Sequence, residues 1–228
     1  MSNSPSKGTA LVAGGSRGIG AVYADRLAQR GYDLILVGRS EASLKALAAS
    51  LASASGRNIS AIVADLNNKI DLAKVETKLR DDSSITMLVN NAGTGSVAPL
   101  LDSDVERMEE MIALNTIALT RLTYAAAPAF VKRGTGTIIN ISSIVGISPE
   151  TLNGVYGATK AYVLAFSHSL QHELADKGIR VQASCPARRR PTFGKSLAWD
   201  GRNCPRRSSC RWKTWSMQRW SAPTKANW

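Results

Sequence analysis

The sequence is poor in cysteine and contains no long apolar run. Its three cysteines, Cys185, Cys204 and Cys210, are too few and lie too late in the chain to hold a fold together by disulfides. No segment approaches the ~20 apolar residues of a membrane-spanning helix, so we expect no membrane partner. Residues 1–7 are serine-rich without an apolar stretch, so we expect no secretory signal and predict a cytoplasmic location.

Acidic residues are nearly absent from the end of the chain. Residues 187–228 hold 11 Lys and Arg, the single acid Asp200 and all five tryptophans, whereas residues 1–186 hold 18 basic and 16 acidic residues. The net charge of +12 therefore comes mostly from this tail. The composition predicts a disordered N-terminus (1–7), one nearly neutral domain (8–186) and a poorly ordered, aberrant tail (187–228).

Apolar runs and helical patterns alternate through residues 8–186. Buried parallel strands need helical crossovers, so this alternation predicts an α/β fold with a Rossmann-like, doubly wound parallel sheet in a single domain. The predicted strands are 9–13, 33–37, 59–64, 85–90, 136–141 and 179–185. The predicted helices are 18–30, a helix capped by Ser40, 69–80, 104–131 and 154–177.

A glycine-rich turn, Gly14-Gly-Ser-Arg-Gly18-Ile-Gly20, joins the first strand to the first helix. Glycines there let the backbone turn tightly and approach a pyrophosphate, whose charge the free N–H groups of the helix start can hold. Its spacing, G-x-x-x-G-x-G, differs from the G-x-G-x-x-G fingerprint of many dinucleotide sites. Taken alone, the segment also fits a purely structural turn.

Further motifs follow the later strands in a fixed order: Asn90-Asn-Ala-Gly93 after the fourth strand, Ser142-Ser143 after the fifth, and Tyr156-Gly-Ala-Thr-Lys160 at the start of the next helix. Together with the glycine turn and Asn115, they resemble the short-chain dehydrogenase/reductase family over about residues 8–186. The resemblance implies an oxidoreductase that interconverts a small-molecule carbonyl and an alcohol by hydride transfer.

The resemblance also implies catalytic roles for four residues. Tyr156 would be the general acid/base, Lys160 its cationic neighbour and a ribose ligand, Ser143 the hydrogen-bond partner of the substrate oxygen, and Asn115 the holder of a water in the proton relay. The spacing agrees, because residues four apart share one helix face and an ammonium favours a nearby phenolate. Ser142 is interpreted as a structural neighbour.

The second strand ends in Val37-Gly38-Arg39, without the acid that bonds an NAD ribose, and Arg17 lies in the glycine turn. Two guanidiniums suit a 2′-phosphate, so we predict NADP(H), although Arg39 could also be a solvated surface arginine. By resemblance, Asp65 would touch the adenine. The predicted cofactor-binding residues are Gly14, Ser16, Arg17, Gly18, Ile19, Gly20, Arg39, Asp65, Leu66, Asn91, Ala92, Gly93, Tyr156, Lys160 and Pro186.

The family pattern stops at Pro186. One possible back-translation of residues 186–195, shifted by two bases, restores a Pro-Gly-x-x-x-Thr segment of the kind that the family would have. The tail therefore reads as a frameshift product, and an alternative function follows, namely a cofactor-binding remnant with impaired catalysis. A basic tail that binds nucleic acid or an anionic membrane is a further alternative, but no nucleic-acid-binding motif supports it.

Two expectations concern partners and metals. The family resemblance implies a homo-oligomer formed through the helices 104–131 and 154–177. His168 and His172 lie four apart but lack a third ligand, so we predict no metal site.

Overall fold

A computed structural model describes residues 6–148 and 154–186 of the chain. Six parallel strands form one sheet in the order β3-β2-β1-β4-β5-β6. The predicted sheet and its six strands are confirmed. Their bounds are β1 Thr9–Ala13, β2 Asp33–Gly38, β3 Ile59–Val63, β4 Ile85–Asn90, β5 Gly136–Ile141 and β6 Ile179–Ser184.

Helices connect the strands as the pattern predicts. Their bounds are α1 Gly18–Gln29, α2 Glu41–Ser55, α3 Lys69–Asp81, α4 Val105–Ile112, α5 Leu119–Arg133 and α6 Gly154–Leu174. The Ser40 side chain caps α2 by accepting the backbone N–H of Ser43. The helix expected at 104–131 differs in one respect: α4 and α5 are joined by a π-helical segment, Ala113–Ala118, which contains Asn115. Such segments widen a helix locally and are frequent at functional sites.

Side chains that alternate along β1 feed two apolar layers. Ala10 and Val12 belong to the cluster that packs against α1 and α2, and Leu11 and Ala13 belong to the cluster on the opposite face, which packs against α3, α5 and α6. Every residue of β1 is buried. This explains why the four residues 10–13 are all apolar rather than alternating in polarity.

The strand order reverses between β1 and β4. The chain runs outward from β1 to β3, then crosses over to β4 and continues to β6. At such a reversal the connecting helices diverge to opposite faces, which leaves a crevice at the carboxyl ends of the strands. The glycine turn, residues 91–93 and Ser142-Ser143 follow strand ends, and the topology brings them to this edge, whereas Asn115 lies in the π-helical segment and Tyr156 and Lys160 lie in α6.

Candidate active site

A cleft of about 640 Å³ opens at the carboxyl edge of the sheet. Most of the predicted site residues line it, but Gly18, Gly20, Asp65 and Asn115 do not. The predicted residues that line it are Gly14, Ser16, Arg17, Ile19, Arg39, Leu66, Asn91, Ala92, Gly93, Ser143, Tyr156, Lys160 and Pro186.

The glycine turn is packed between the ends of β2 and β4. The backbone N–H groups of Gly14 and Gly15 donate to Val37 O at 2.8 and 3.1 Å, and Asn91 Nδ2 donates to Gly14 O at 2.8 Å. A Cβ at Gly20 would lie 2.2 Å from Gly14 O and 2.5 Å from Asn91 Nδ2, so only glycine fits there. Gly20 therefore acts by allowing α1 to approach the turn closely, although it does not line the cleft.

The first turn of α1 has no side-chain cap. The residue that precedes it, Arg17, has an extended backbone and accepts no helix N–H through its side chain. The N–H groups of that turn therefore stay available to an anion beside Gly14 and Ser16, which line the cleft.

Charge in the cleft is entirely positive. Arg17 and Arg39 are exposed side chains that line the half of the cleft near β1 and β2, and Lys160 lines the half near β5. No aspartate or glutamate of the described segments 6–148 and 154–186 lines the cleft. The cleft therefore favours an anionic ligand.

The structure places the Asp65 carboxylate in a turn. Its Oδ1 accepts the backbone N–H of Asn67 at 3.0 Å, and its own backbone N–H donates to Asp71 Oδ2 at 3.1 Å. The flanking residues Ala64 and Leu66 line the cleft instead.

The opposite half of the cleft holds Tyr156, Lys160 and Ser143. Lys160 is 6% exposed, and its Nζ donates to Ile141 O at 2.9 Å and lies 6.0 Å from the centre of the Tyr156 ring. Burial lowers the pKa of Lys160 from 10.5 to about 8, an effect that Cys185 partly opposes. The side chain is therefore a cation whose charge is costly in the folded protein.

Serine hydroxyls fix the backbone around this group. Ser143 Oγ accepts the backbone N–H of Val145 at 3.4 Å, and Ser142 Oγ donates to Lys160 O at 2.7 Å. A Cβ at Gly146 would lie 2.7 Å from Lys160 O, so the turn after β5 lies directly on α6. The hydrogen bond of Ser142 to α6 agrees with the interpretation of Ser142 as a structural neighbour, and Ser142 also lines the cleft.

Asn115 is 1% exposed and lies behind the cleft wall. Its Oδ1 accepts the backbone N–H of Thr94 and its Nδ2 donates to Thr94 O, both at 2.9 Å. The amide thus pairs with the backbone after β4 as a neighbouring strand would. In this arrangement Asn115 shapes the site through Thr94.

Sequence reasoning missed about half of the lining residues. Most of them directly follow β4 or β5, and the signal that could have found them is position, because everything just past a strand end reaches the same edge. The missed residues are Gly38, Ser40, Ala64, Thr94, Gly95, Ser96, Val97, Leu114, Ile141, Ile144 and Val145, together with Ser142.

Three further predictions concern metal, membrane and tail. The described parts of the chain contain no group of three His, Cys, Asp or Glu side chains able to hold a metal ion. Within the same ranges, no helix is both long and apolar enough to cross a membrane. The predictions about the N-terminus before residue 6 and the tail after Pro186 lie outside the described residues.

The fold and the cleft define a nucleotide-binding α/β protein of the Rossmann-like class. Residues 8–198 match the profile of the family described as short chain dehydrogenase, a match that continues past Pro186. The chain belongs to the short-chain dehydrogenase/reductase family, as the motifs predict, and its relatives are oxidoreductases.

Among curated proteins, an uncharacterized oxidoreductase of Staphylococcus epidermidis is 36% identical over 78% of this chain and 76% of its own length. A very-long-chain 3-oxoacyl-CoA reductase of Bos taurus is 33% identical over 78% of this chain, which spans only 58% of that protein.

Solved structures give the same result. A short-chain dehydrogenase from Sphingobium yanoikuyae in complex with NADPH is 50% identical with a TM-score of 0.77, over 79% of this chain and 71% of that one. A bulky-bulky ketone specific alcohol dehydrogenase from Comamonas testosteroni is 44% identical with a TM-score of 0.79, over 85% and 77% of the two chains.

Proposed function

We propose that this protein is an NADP(H)-dependent oxidoreductase that interconverts a carbonyl and an alcohol on a small molecule. The observation that carries the proposal is that two sets of residues line one cleft. An uncapped helix start and two arginines lie at one end, and Tyr156, Lys160 and Ser143 lie at the other. A dinucleotide needs the first set, and a carbonyl reaction needs the second.

The residues present fit a bound dinucleotide. The glycine turn and the start of α1 would hold its pyrophosphate. The adenosine half would be bordered by Ala64, Leu66 and residues 91–93. Lys160 would bind the nicotinamide ribose. When bound, the cofactor supplies or accepts the hydride. Asp65 is proposed to touch the adenine, and since its Oδ1 accepts the backbone N–H of Asn67, Oδ2 would make that contact.

Tyr156 is proposed as the group that gives a proton to the substrate oxygen or takes it away. The Lys160 ammonium lies 6.0 Å from the centre of the Tyr156 ring, and both side chains line the cleft. Ser143 would donate a hydrogen bond to the same substrate oxygen and orient it. Asn115 is proposed to hold a water of the proton relay, as the family resemblance implies, while its side-chain amide pairs with the backbone of Thr94.

The preference for NADP(H) over NAD(H) is proposed from charge. Arg39 follows the end of β2 and Arg17 precedes α1, and both line the cleft, so they would be able to bind a ribose 2′-phosphate. Guanidiniums grip phosphate by charge-assisted hydrogen bonds, whereas a 2′-hydroxyl is usually bound by a carboxylate at this strand end.

Two further expectations remain proposals. A homo-oligomer would form through the helices at 104–131 and 154–177, and exposed Ile117, Tyr124 and Tyr162 on those helices support such a contact. The location is proposed to be cytoplasmic. Nothing in the comparisons favours the alternative of a non-catalytic remnant.

The decisive experiment replaces Tyr156 by phenylalanine. Tyr156→Phe removes only the hydroxyl, so NADPH should still bind while turnover of a ketone panel falls by about 10³-fold. Tyr162→Phe is the matched control, because Tyr162 lies on the same helix but its hydroxyl pairs with Thr120 Oγ1 at 2.7 Å. Turnover of Tyr156→Phe within tenfold of the parent protein would exclude Tyr156 as the acid/base.

A further inference from the structure

Thr159 is a buried residue that links Asn115 to α6, the helix that carries Tyr156 and Lys160. It is located on α6 between Tyr156 and Lys160 and is 3% exposed. Its Oγ1 donates to Tyr156 O at 2.8 Å and accepts a hydrogen bond from Asn115 Nδ2 at 3.0 Å. A single hydroxyl thus joins α6 to the π-helical segment.

The same contact completes the hydrogen bonding of Asn115. One Nδ2 hydrogen goes to Thr94 O and the other to Thr159 Oγ1, so both amide hydrogens are used inside the protein. The orientation of the amide is thereby fixed, with Oδ1 toward Thr94 N. Without the Thr159 hydroxyl, one buried N–H would lack its partner and this orientation would no longer be enforced.

The backbone that Asn115 holds touches the proposed acid/base. A Cβ at Gly95 would lie 3.2 Å from Cε2 and Cζ of Tyr156, and a Cβ at Gly93 would lie 2.9 Å from Asn115 Oδ1. The backbone on either side of Thr94 is therefore packed against Asn115 at one residue and against the phenol ring at the other. Displacement of Thr94 would change the space around the Tyr156 ring.

We propose that Thr159 is a positioning residue for the proposed reaction: its hydroxyl locks Asn115, which holds residues 93–95 against the Tyr156 ring. This inference rests on the proposed function of Tyr156. A purely stabilising hydroxyl would change only the free energy of unfolding, whereas a positioning hydroxyl also sets the geometry at the reacting group, where small displacements are costly.

Thr159→Val tests the proposal, because valine keeps the shape and removes the hydroxyl. We expect kcat to fall by about 10- to 100-fold while KM for NADPH stays within about threefold, and we expect Thr159→Ser to restore kcat. Thr123→Val is the matched control. Thr123 is also buried, at 1% exposure, and also accepts an Asn Nδ2 hydrogen at 3.0 Å, but it lies on α5 and its partner is Asn90 instead of Asn115.

A second readout does not depend on turnover. In the parent protein the Thr94 amide is bonded to Asn115 Oδ1, so hydrogen exchange of the peptide that contains Thr94 should be at least about tenfold faster in Thr159→Val and unchanged in Thr123→Val. Equal kcat in the two valine variants, or unchanged exchange at Thr94, would overturn the proposal. A parent protein that binds NADPH yet reduces no ketone would overturn the proposed function instead, and the exchange result would still decide whether Thr159 holds residues 93–95.

Discussion

The buried ammonium of Lys160 predicts an unusual dependence of stability on pH. With 6% of its surface exposed, Lys160 has a pKa lowered by burial to about 8, against 10.5 in the unfolded chain. That gap corresponds to about 3 kcal/mol of differential stability between the charged and neutral forms. Lys160→Met removes the charge and keeps most of the apolar stem, so it isolates this cost.

The sign follows from proton binding. Below about pH 8, Lys160 is protonated in both states, and the folded protein bears the full cost of the buried charge. Between about pH 8 and 10.5 the folded protein has released the proton that the unfolded chain still holds, so the free energy of unfolding rises with pH. Above that range the cost has disappeared.

The assay is urea denaturation of the parent protein and of Lys160→Met from about pH 7 to pH 11. The stability of the parent minus that of the variant should rise by about 3 kcal/mol over this range. Loss of the bond to Ile141 O adds an offset that does not vary with pH. Lys45→Met serves as the control, since the Lys45 side chain is 73% exposed and its charge stays in water. A difference that stays flat, or falls with pH, would refute the buried-charge reasoning.

Two substitutions test the cofactor half of the cleft. Arg39→Asp should weaken NADPH binding by at least about tenfold more than NADH binding, because a carboxylate repels a 2′-phosphate and can bond a free 2′-hydroxyl. Fluorescence titrations measure the two dissociation constants. An unchanged ratio of these constants would make Arg39 an ordinary surface residue. Gly20→Ala should lower the free energy of unfolding by about 1–3 kcal/mol and weaken NADPH binding, since the new methyl group would meet Gly14 O at 2.2 Å. Thermal melting measures the first effect and NADPH titration the second. Values equal to those of the parent protein would contradict the tight approach of α1 to the turn.

Much of the fold could be predicted from local pattern. An apolar run such as the one in β1 is typical of a parallel strand buried on both faces, and the helical periods between the strands supply the crossovers that a parallel sheet requires. The motifs after the first and fifth strands predicted Gly14 and Ser143 as site residues, and the motif at the start of the next helix predicted Tyr156. The π-helical segment around Asn115 has no comparable pattern, because six residues are too few for i,i+5 bonding to show as a period of its own.

What the sequence by itself determined is the set of residue types and their spacing: a glycine turn before α1, an arginine in place of an acid after β2, and a tyrosine and lysine one helical turn apart. Only the tertiary structure decided what surrounds them. Lys160 donates to Ile141 O, Asn115 pairs with Thr94 and Thr159 from behind the cleft, and burial of Lys160 lowers its pKa. The physical reason is that spacing along a chain specifies which side chains share a strand end or a helix face. Burial and hydrogen-bond partners depend on segments far apart in sequence that meet only when the sheet is assembled.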